Sequence, residues 1–256
     1  MLKREIRVFF AALMFFTRLP CPQWEYDDRL RESIRYLPLI GWIVGGLSAL
    51  VLFGAARILP GSVAVLLSMV SSVLLTGAFH EDGLGDVCDS FGGGWTKTQI
   101  LAVMKDSRMG AYGVVGLVLS LLLKCFLLVE LAQIEVLLAA VAVVNGHTVS
   151  RFVASTFVRT HDYVQNPERS KSHSIVMQKP GWGAMLFGLL LTLMPFVLFD
   201  SWLFVLGFPI AYLSKPLLGY LFQRRIGGYT GDCLGATQQI GEIAFYLSVL
   251  AIRQSM

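Results

Sequence analysis

Seven apolar stretches dominate this chain, at 36–59, 62–79, 112–131, 134–150, 183–199, 201–222 and 240–252. A helix that crosses a bilayer needs ~20 such residues, so six of them are long enough or nearly so, and the last is marginal. Inside lipid every backbone N–H and C=O must be bonded within the segment, which selects helices over open strands. The period-2 alternation of a membrane barrel is absent. Composition agrees: 55% of the 256 residues are hydrophobic and 15% are charged, against about 25% charged in an average soluble domain. The expected architecture is all-α, a polytopic integral membrane protein of about seven transmembrane helices plus an N-terminal interfacial helix, forming a single membrane-embedded domain over 1–256.

Charge sets the expected topology. With the N-terminus inside, the loops 1–35, 80–111, 151–182 and 223–239 hold 17 of the 21 Lys and Arg residues, while the connections at 60–61, 132–133 and 200 hold none. This positive-inside asymmetry places every long polar loop in the cytoplasm. The first apolar run, Val8 to Phe16, follows Lys3, Arg4 and Arg7 and ends in Thr17-Arg18-Leu19-Pro20 without a small-x-small cleavage site. It reads as a retained interfacial helix. Gly41-x3-Gly45 either offers a face where two helices approach closely or reflects only how common glycine is in membrane helices. A net charge of +4 with no basic patch argues against nucleic acid. The four cysteines, Cys21, Cys88, Cys125 and Cys233, contain no C-x-x-C pair, so they read as reduced thiols.

The sharpest chemical feature is His80-Glu81-Asp82-Gly83-Leu84-Gly85-Asp86-Val87-Cys88-Asp89. Asp82, Asp86 and Asp89 stand at i, i+4 and i+7, within an arc of roughly 60° on a helix. Three carboxylates on one stripe repel one another unless a cation lies among them. Hard oxygen donors at this density suit Mg²⁺, which bridges to substrate phosphates. A solvated acidic helix cap is the plain alternative, but charge is scarce in this chain and polar groups at a membrane edge tend to act.

Two more polar islands follow. Phe91-Gly92-Gly93-Gly94-Trp95 reads either as a mobile glycine turn able to fold over a bulky ligand or as a plain hinge. In Met104-Lys105-Asp106-Ser107-Arg108, the cations Lys105 and Arg108 offer a point charge and a bidentate fork for phosphate oxygens. In Gly227-Gly228-Tyr229-Thr230-Gly231-Asp232, glycine-rich backbone can nest an anion, and Thr230 and Asp232 are candidate substrate contacts. The loop at 151–182 is basic through Arg151, Arg159, Arg169, Lys171 and Lys179, which topology alone explains. Asn145 and His147 lie at the inner end of a span.

His80-x-Asp82-Gly83-Leu84-x-Asp86-x-x-Asp89, Met104-Lys105-Asp106-Ser107-Arg108-x-Gly110 and Gly227-Gly228-x-Thr230-Gly231-Asp232-x-Leu234-Gly235-Ala236 together closely resemble the cobalamin synthase family, the adenosylcobinamide-GDP ribazoletransferases. The early Phe16-Thr17-Arg18-Leu19-Pro20 fits as well, so the resemblance covers the whole chain. Gly85 departs from it, since the family more often has alanine there. The resemblance implies a Mg²⁺-dependent membrane transferase of cobalamin biosynthesis. It would join α-ribazole, or its 5′-phosphate, to adenosylcobinamide-GDP and release GMP.

On that reading Asp82, Asp86 and Asp89 hold the metal, with Asp82 counted among the catalytic residues. Lys105 and Arg108 bind phosphate, and either Glu81 or Asp106 accepts the hydroxyl proton. A homo-oligomer, or a complex with other enzymes of the pathway, stays open. So do two rivals: another Mg²⁺-dependent membrane transferase, CDP-alcohol phosphotransferase-like or prenyltransferase-like, and a cation-coupled transporter. The first rival lacks its D-x-x-D-G-x-x-A-R run or its second aspartate motif. The transporter would want its acids near the midplane.

Overall fold

The computed structural model describes residues 2–22, 24, 30–164 and 179–256, of which Leu30 and Arg31 are described in backbone only. Arg169 and Lys171 of the basic loop lie outside the described residues. Helices make up the described chain: α1 (Leu2–Phe16), α2 (Leu37–Ala55, entered through short helical turns over 30–36), α3 (Gly61–Thr76), α4 (Phe79–Gly93), α5 (Lys97–Val103), α6 (Ala111–Ile134), α7 (Val136–Thr160), α8 (Trp182–Leu193), α9 (Gly207–Tyr212), α10 (Ser214–Ile226) and α11 (Gly231–Ser255). Among the described residues the only β-type pairing is one isolated bridge, Tyr163 with Tyr229.

The all-helical expectation holds; the count of seven spans does not carry over. Four helical stretches are long and apolar enough to cross a membrane: Ile34–Ala55, Ala111–Ile134, Val136–Thr160 and Trp202–Ile226. A fifth is reached if α3 and α4, bent by 90° at their junction, count as one. Trp182–Leu198 is apolar but short. α11 has the length, but its first half carries Asp232, Gln238, Gln239 and Glu242. Length and polarity thus separate these segments, where an apolar tally alone had merged them.

Close packing follows the small residues. α2 runs along α7, and a β-carbon on Gly41 would lie 2.6 Å from the His147 carbonyl oxygen, one on Gly45 2.9 Å from Val144 Cα. Gly46 faces open space, so the pair at i and i+4 makes the contact. α1 buries Val8, Ala11, Ala12, Leu13 and Phe16 and leaves Leu2 and Ile6 exposed beside its basic residues, as an interfacial helix should.

The bend that creates the site sits at Gly77 (φ +68°) and Ala78 (φ +58°). Both are left-handed, a conformation that costs a non-glycine residue roughly 1–2 kcal/mol. The amides of both residues return to the Val73 carbonyl. Arg18 fastens the corner: its backbone amide donates to the Leu75 carbonyl (2.7 Å), and its guanidinium fills the space beside Gly77. Thr17 caps the end of α1 by donating to the Leu13 carbonyl (2.6 Å) and accepting from the Leu19 amide (3.2 Å). The early Thr17-Arg18-Leu19 motif is therefore a structural clamp on the turn that presents the acidic helix.

Candidate active site

α4 leaves this corner as the expected helix, with Asp82 exposed, Asp86 half-buried and Asp89 buried along it. It crosses the start of α11. A β-carbon on Gly83 would come within 2.9 Å of the Asp232 carbonyl oxygen, and one on Gly235 within 3.1 Å of the His80 carbonyl oxygen. Only paired glycines permit this approach, and it sets Asp232 beside the acids of α4. The Asp86 carboxyl is pushed up to about 7, first by burial and then by the charges of Asp232, Asp82 and Asp89. The other three carboxylates lie close enough for their charges to raise the cost of ionising Asp86.

The three aspartates do not play one role. The two oxygens of Asp89 accept from the backbone amides of Gly110 (2.5 Å) and Gly113 (2.8 Å). Asp89 is thus the cap of α6, satisfying amides that a helix start leaves open. No three His, Cys, Asp or Glu side chains among the described residues are gathered into a finished metal site. Asp82, Asp86 and Asp232 offer hard carboxylate oxygens on this face. That suits a cation which takes one or two carboxylates and completes its shell with water and phosphate.

The loop between α5 and α6 is strapped over this face. Met104 Sδ lies 3.6 Å from the Thr230 hydroxyl, Met109 packs against Gly85, and Gly110 is tied to Asp89. Lys105 and Arg108 fall between those anchors and are exposed. Arg108 forms a fork on Asp106, with Nε 3.0 Å from Oδ1 and Nη2 2.6 Å from Oδ2. Hydrogen bonds from Arg108 hold the Asp106 carboxyl down at about 2. A carboxylate so held is a poor proton acceptor, which weighs against the basic role expected of Asp106.

Two further expectations change. Thr230 is fully buried and accepts from the Cys233 amide (3.3 Å) as the N-cap of α11; it builds the site rather than offering a hydroxyl to a ligand. The glycine triplet is no mobile turn. α4 runs through Gly93, Gly92 packs on the Tyr112 ring, and the Gly94 carbonyl accepts from Arg225 Nη2 (2.6 Å). Gly228 (φ +156°) lets Tyr229 donate to the Asp162 carbonyl (3.0 Å), and a β-carbon there would strike that carbonyl.

Beneath the acidic helix lies a buried polar network that the sequence reading did not assemble. Glu242 accepts from Lys124 Nζ (2.7 Å), Tyr246 OH (2.9 Å) and Gln238 Nε2 (2.7 Å), and His147 Nδ1 stands 3.3 Å away. Gln239 accepts from Lys124 (3.3 Å) and donates to Glu81 Oε1 (3.0 Å). Arg151 donates to the His147 carbonyl (3.0 Å). Lys124, Arg151, Glu81 and Glu242 are all buried, two cations against two carboxylates. Both His80 ring nitrogens, Glu81 Oε2 and Arg151 Nε have no hydrogen-bond partner among the described residues. The available signal was the presence of Lys124 and Glu242 in otherwise apolar helices, where an ionisable group implies a partner.

Residues 8–251 match the family model described as Cobalamin-5-phosphate synthase. Similar curated proteins include the "Adenosylcobinamide-GDP ribazoletransferase" of Shewanella frigidimarina, 46% identical over 256 residues that cover 97% of this chain and 96% of that one. The protein of the same name from Shewanella oneidensis is 45% identical over 261 residues, covering 97% and 95%. No solved structure matches the chain.

Proposed function

The chain belongs to the Cobalamin-5-phosphate synthase family, and from that premise and the geometry of the α4–α11 crossing we propose how it works as an adenosylcobinamide-GDP ribazoletransferase. A hydroxyl of α-ribazole, or of its 5′-phosphate, attacks the phosphorus that bears the cobinamide. The bond between the two phosphorus atoms' bridging oxygen and that phosphorus breaks, and GMP leaves. The corrinoid product carries the new phosphodiester. The rival readings, another membrane transferase or a transporter, gain nothing from the family match.

The observation that carries the mechanism is the crowding of Asp86 by Asp82, Asp89 and Asp232, a field built for a cation and a diphosphate. Asp82 and Asp86, with Asp232 beside them, would hold Mg²⁺, while Asp89 keeps its anchoring bonds. Such an ion supplies neutralisation of the diphosphate and of the departing GMP. Most catalysis of this kind is positioning and charge stabilisation. Lys105 binds phosphate oxygens as a point charge, and Arg108 joins it on exchanging Asp106 for the substrate. Of the two candidate proton acceptors, Glu81 is favoured, because one of its oxygens is unspent and Asp106 is locked by Arg108. The reaction takes place on the cytoplasmic face of the inner membrane, the side of the basic loops.

The test is turnover by full-length protein in nanodiscs given adenosylcobinamide-GDP and either α-ribazole or its 5′-phosphate, with Mg²⁺ or with EDTA. GMP and a cobalamin product form only with Mg²⁺, and Asp82→Ala abolishes both. Release of GMP at the same rate in EDTA removes the metal assignment. No product from either nucleoside form removes the transferase reading.

A further inference from the structure

Away from the acidic face, α7, α8 and the α9–α10 pair enclose a groove of about 540 Å³. That volume is within the range of ligand sites. Its floor is apolar, with Phe152, Met185 and Leu189 along it. Two cations stand in its wall. Lys215 is 8% exposed, and its Nζ lies 3.3 Å from the Tyr212 hydroxyl. The Arg159 guanidinium sits 3.7 Å from the centre of the Trp182 ring and donates to the Pro180 carbonyl (2.6 Å).

Neither cation has a carboxylate partner among the described residues, although Lys215 is largely withdrawn from solvent. A buried cation without an anion is costly, so the wall is complementary to a negative group. Two of its walls, α7 and the α9–α10 pair, belong to stretches apolar enough to span a membrane, and Trp182 (75% exposed) and Leu186 (58%) line it from α8. Tryptophan favours the level of lipid headgroups. A lipid meets the cations with its headgroup and the apolar floor with its chain, which a soluble anion cannot do. The last turn of α7 and the first turn of α8 also border the basic loop, which is the side where anionic headgroups attract Lys and Arg.

We propose that this groove binds one anionic phospholipid, its phosphate held between Arg159 and Lys215 and an acyl chain laid over Phe152, Met185 and Leu189. This inference does not depend on the transferase mechanism, since none of these residues touches the acidic face.

The experiment is native mass spectrometry of the full chain in detergent, titrated with dioleoylphosphatidylglycerol or dioleoylphosphatidylcholine. One phosphatidylglycerol is retained about ten-fold more tightly than phosphatidylcholine, as two cations near a headgroup would give. Arg159→Gln lowers that preference several-fold, and Lys215→Gln removes it. Equal retention of the two lipids by the wild-type protein overturns the proposal. So does a preference unchanged in Arg159→Gln, the rim variant that keeps the test decisive if Lys215→Gln fails to fold. Displacement of the lipid by millimolar inorganic phosphate also overturns it, because it would reveal a site for free anions.

Discussion

Gly83 and Gly235 meet backbone to backbone where α4 crosses α11: a β-carbon on Gly83 would lie 3.3 Å from Gly235 Cα and 2.9 Å from the carbonyl oxygen of Asp232. Neither neighbour is the free end of a side chain, so the helices must part to admit a methyl group. Gly83→Ala should cost about 1–3 kcal/mol of stability, as overpacking does. By shifting Asp232 relative to Asp82 and Asp86 it should also lower kcat about 10- to 100-fold. Gly85→Ala is the control. There the β-carbon meets the Met109 side chain at 2.7 Å, and Met109 is exposed enough to move. Alanine also gains about 1 kcal/mol of helix propensity over glycine. Thermal unfolding and initial rates should show Gly85→Ala unchanged or more stable, with near-normal activity. Equal damage from both substitutions would contradict the crossing geometry.

Asp82 and Asp89 should separate when stability and turnover are measured on the same variants. Asp82 is exposed, so Asp82→Ala should leave the unfolding free energy within about 0.5 kcal/mol while turnover is lost. Asp89→Ala deprives the Gly110 and Gly113 amides of their acceptor and should cost about 1.5–3 kcal/mol, the range for bonds to a charged group. A stable, inactive Asp89→Ala would return that residue to the metal.

The helices and the acidic stripe were legible because their signals are local. Apolar length and the 3.6-residue period put Asp82, Asp86 and Asp89 on one helix, while the packing role of Gly41 and Gly45 is decided only by their approach to α7. What the pattern cannot carry is direction and partnership. A left-handed pair at Gly77 and Ala78 turns α4 by 90° from α3, so an apolar stretch counted as a span ends in a corner. Asp89 looked like a third ligand because its i+7 spacing is the same whether it faces an ion or two backbone amides. Asp232 joins Asp82 across 150 residues of chain, and Lys124 joins Glu242 across 118. The first of these is set by the packing of Gly83 against Gly235, a tertiary contact that no local pattern announces.

The Lys124–Glu242 ion pair (2.7 Å) should be the most sensitive polar contact in the molecule. Glu242 is fully buried, and its loss leaves Lys124 unpaired. Glu242→Gln should destabilise by about 3–5 kcal/mol, the cost of breaking one side of a buried pair. The double variant Lys124→Gln/Glu242→Gln should lose clearly less than the sum of the two single losses. Unfolding in detergent gives all four corners of the cycle, and strict additivity would mean the two charges are not coupled. Because Gln239 bridges Lys124 to Glu81, activity should follow stability in this series.

The pH response of Mg²⁺ binding should trace Asp86. Its carboxyl is raised from 3.8 to about 7, by burial first and then by Asp232, Asp82 and Asp89. The folded protein therefore holds a proton that the unfolded chain has released. Without a divalent ion, this group's contribution to stability is fully present at acid pH and is lost as pH rises through about 7. A cation needs the ionised form, so its binding expels that proton and strengthens with pH across the same window. Thermal unfolding with EDTA or Mg²⁺ should show little stabilisation by Mg²⁺ near pH 5 and a growing shift that levels off near about pH 8. Asp86→Asn should flatten both trends, raising metal-free stability at the alkaline end while weakening the Mg²⁺ shift. A Mg²⁺ shift of constant size across the range would place the ion away from Asp86.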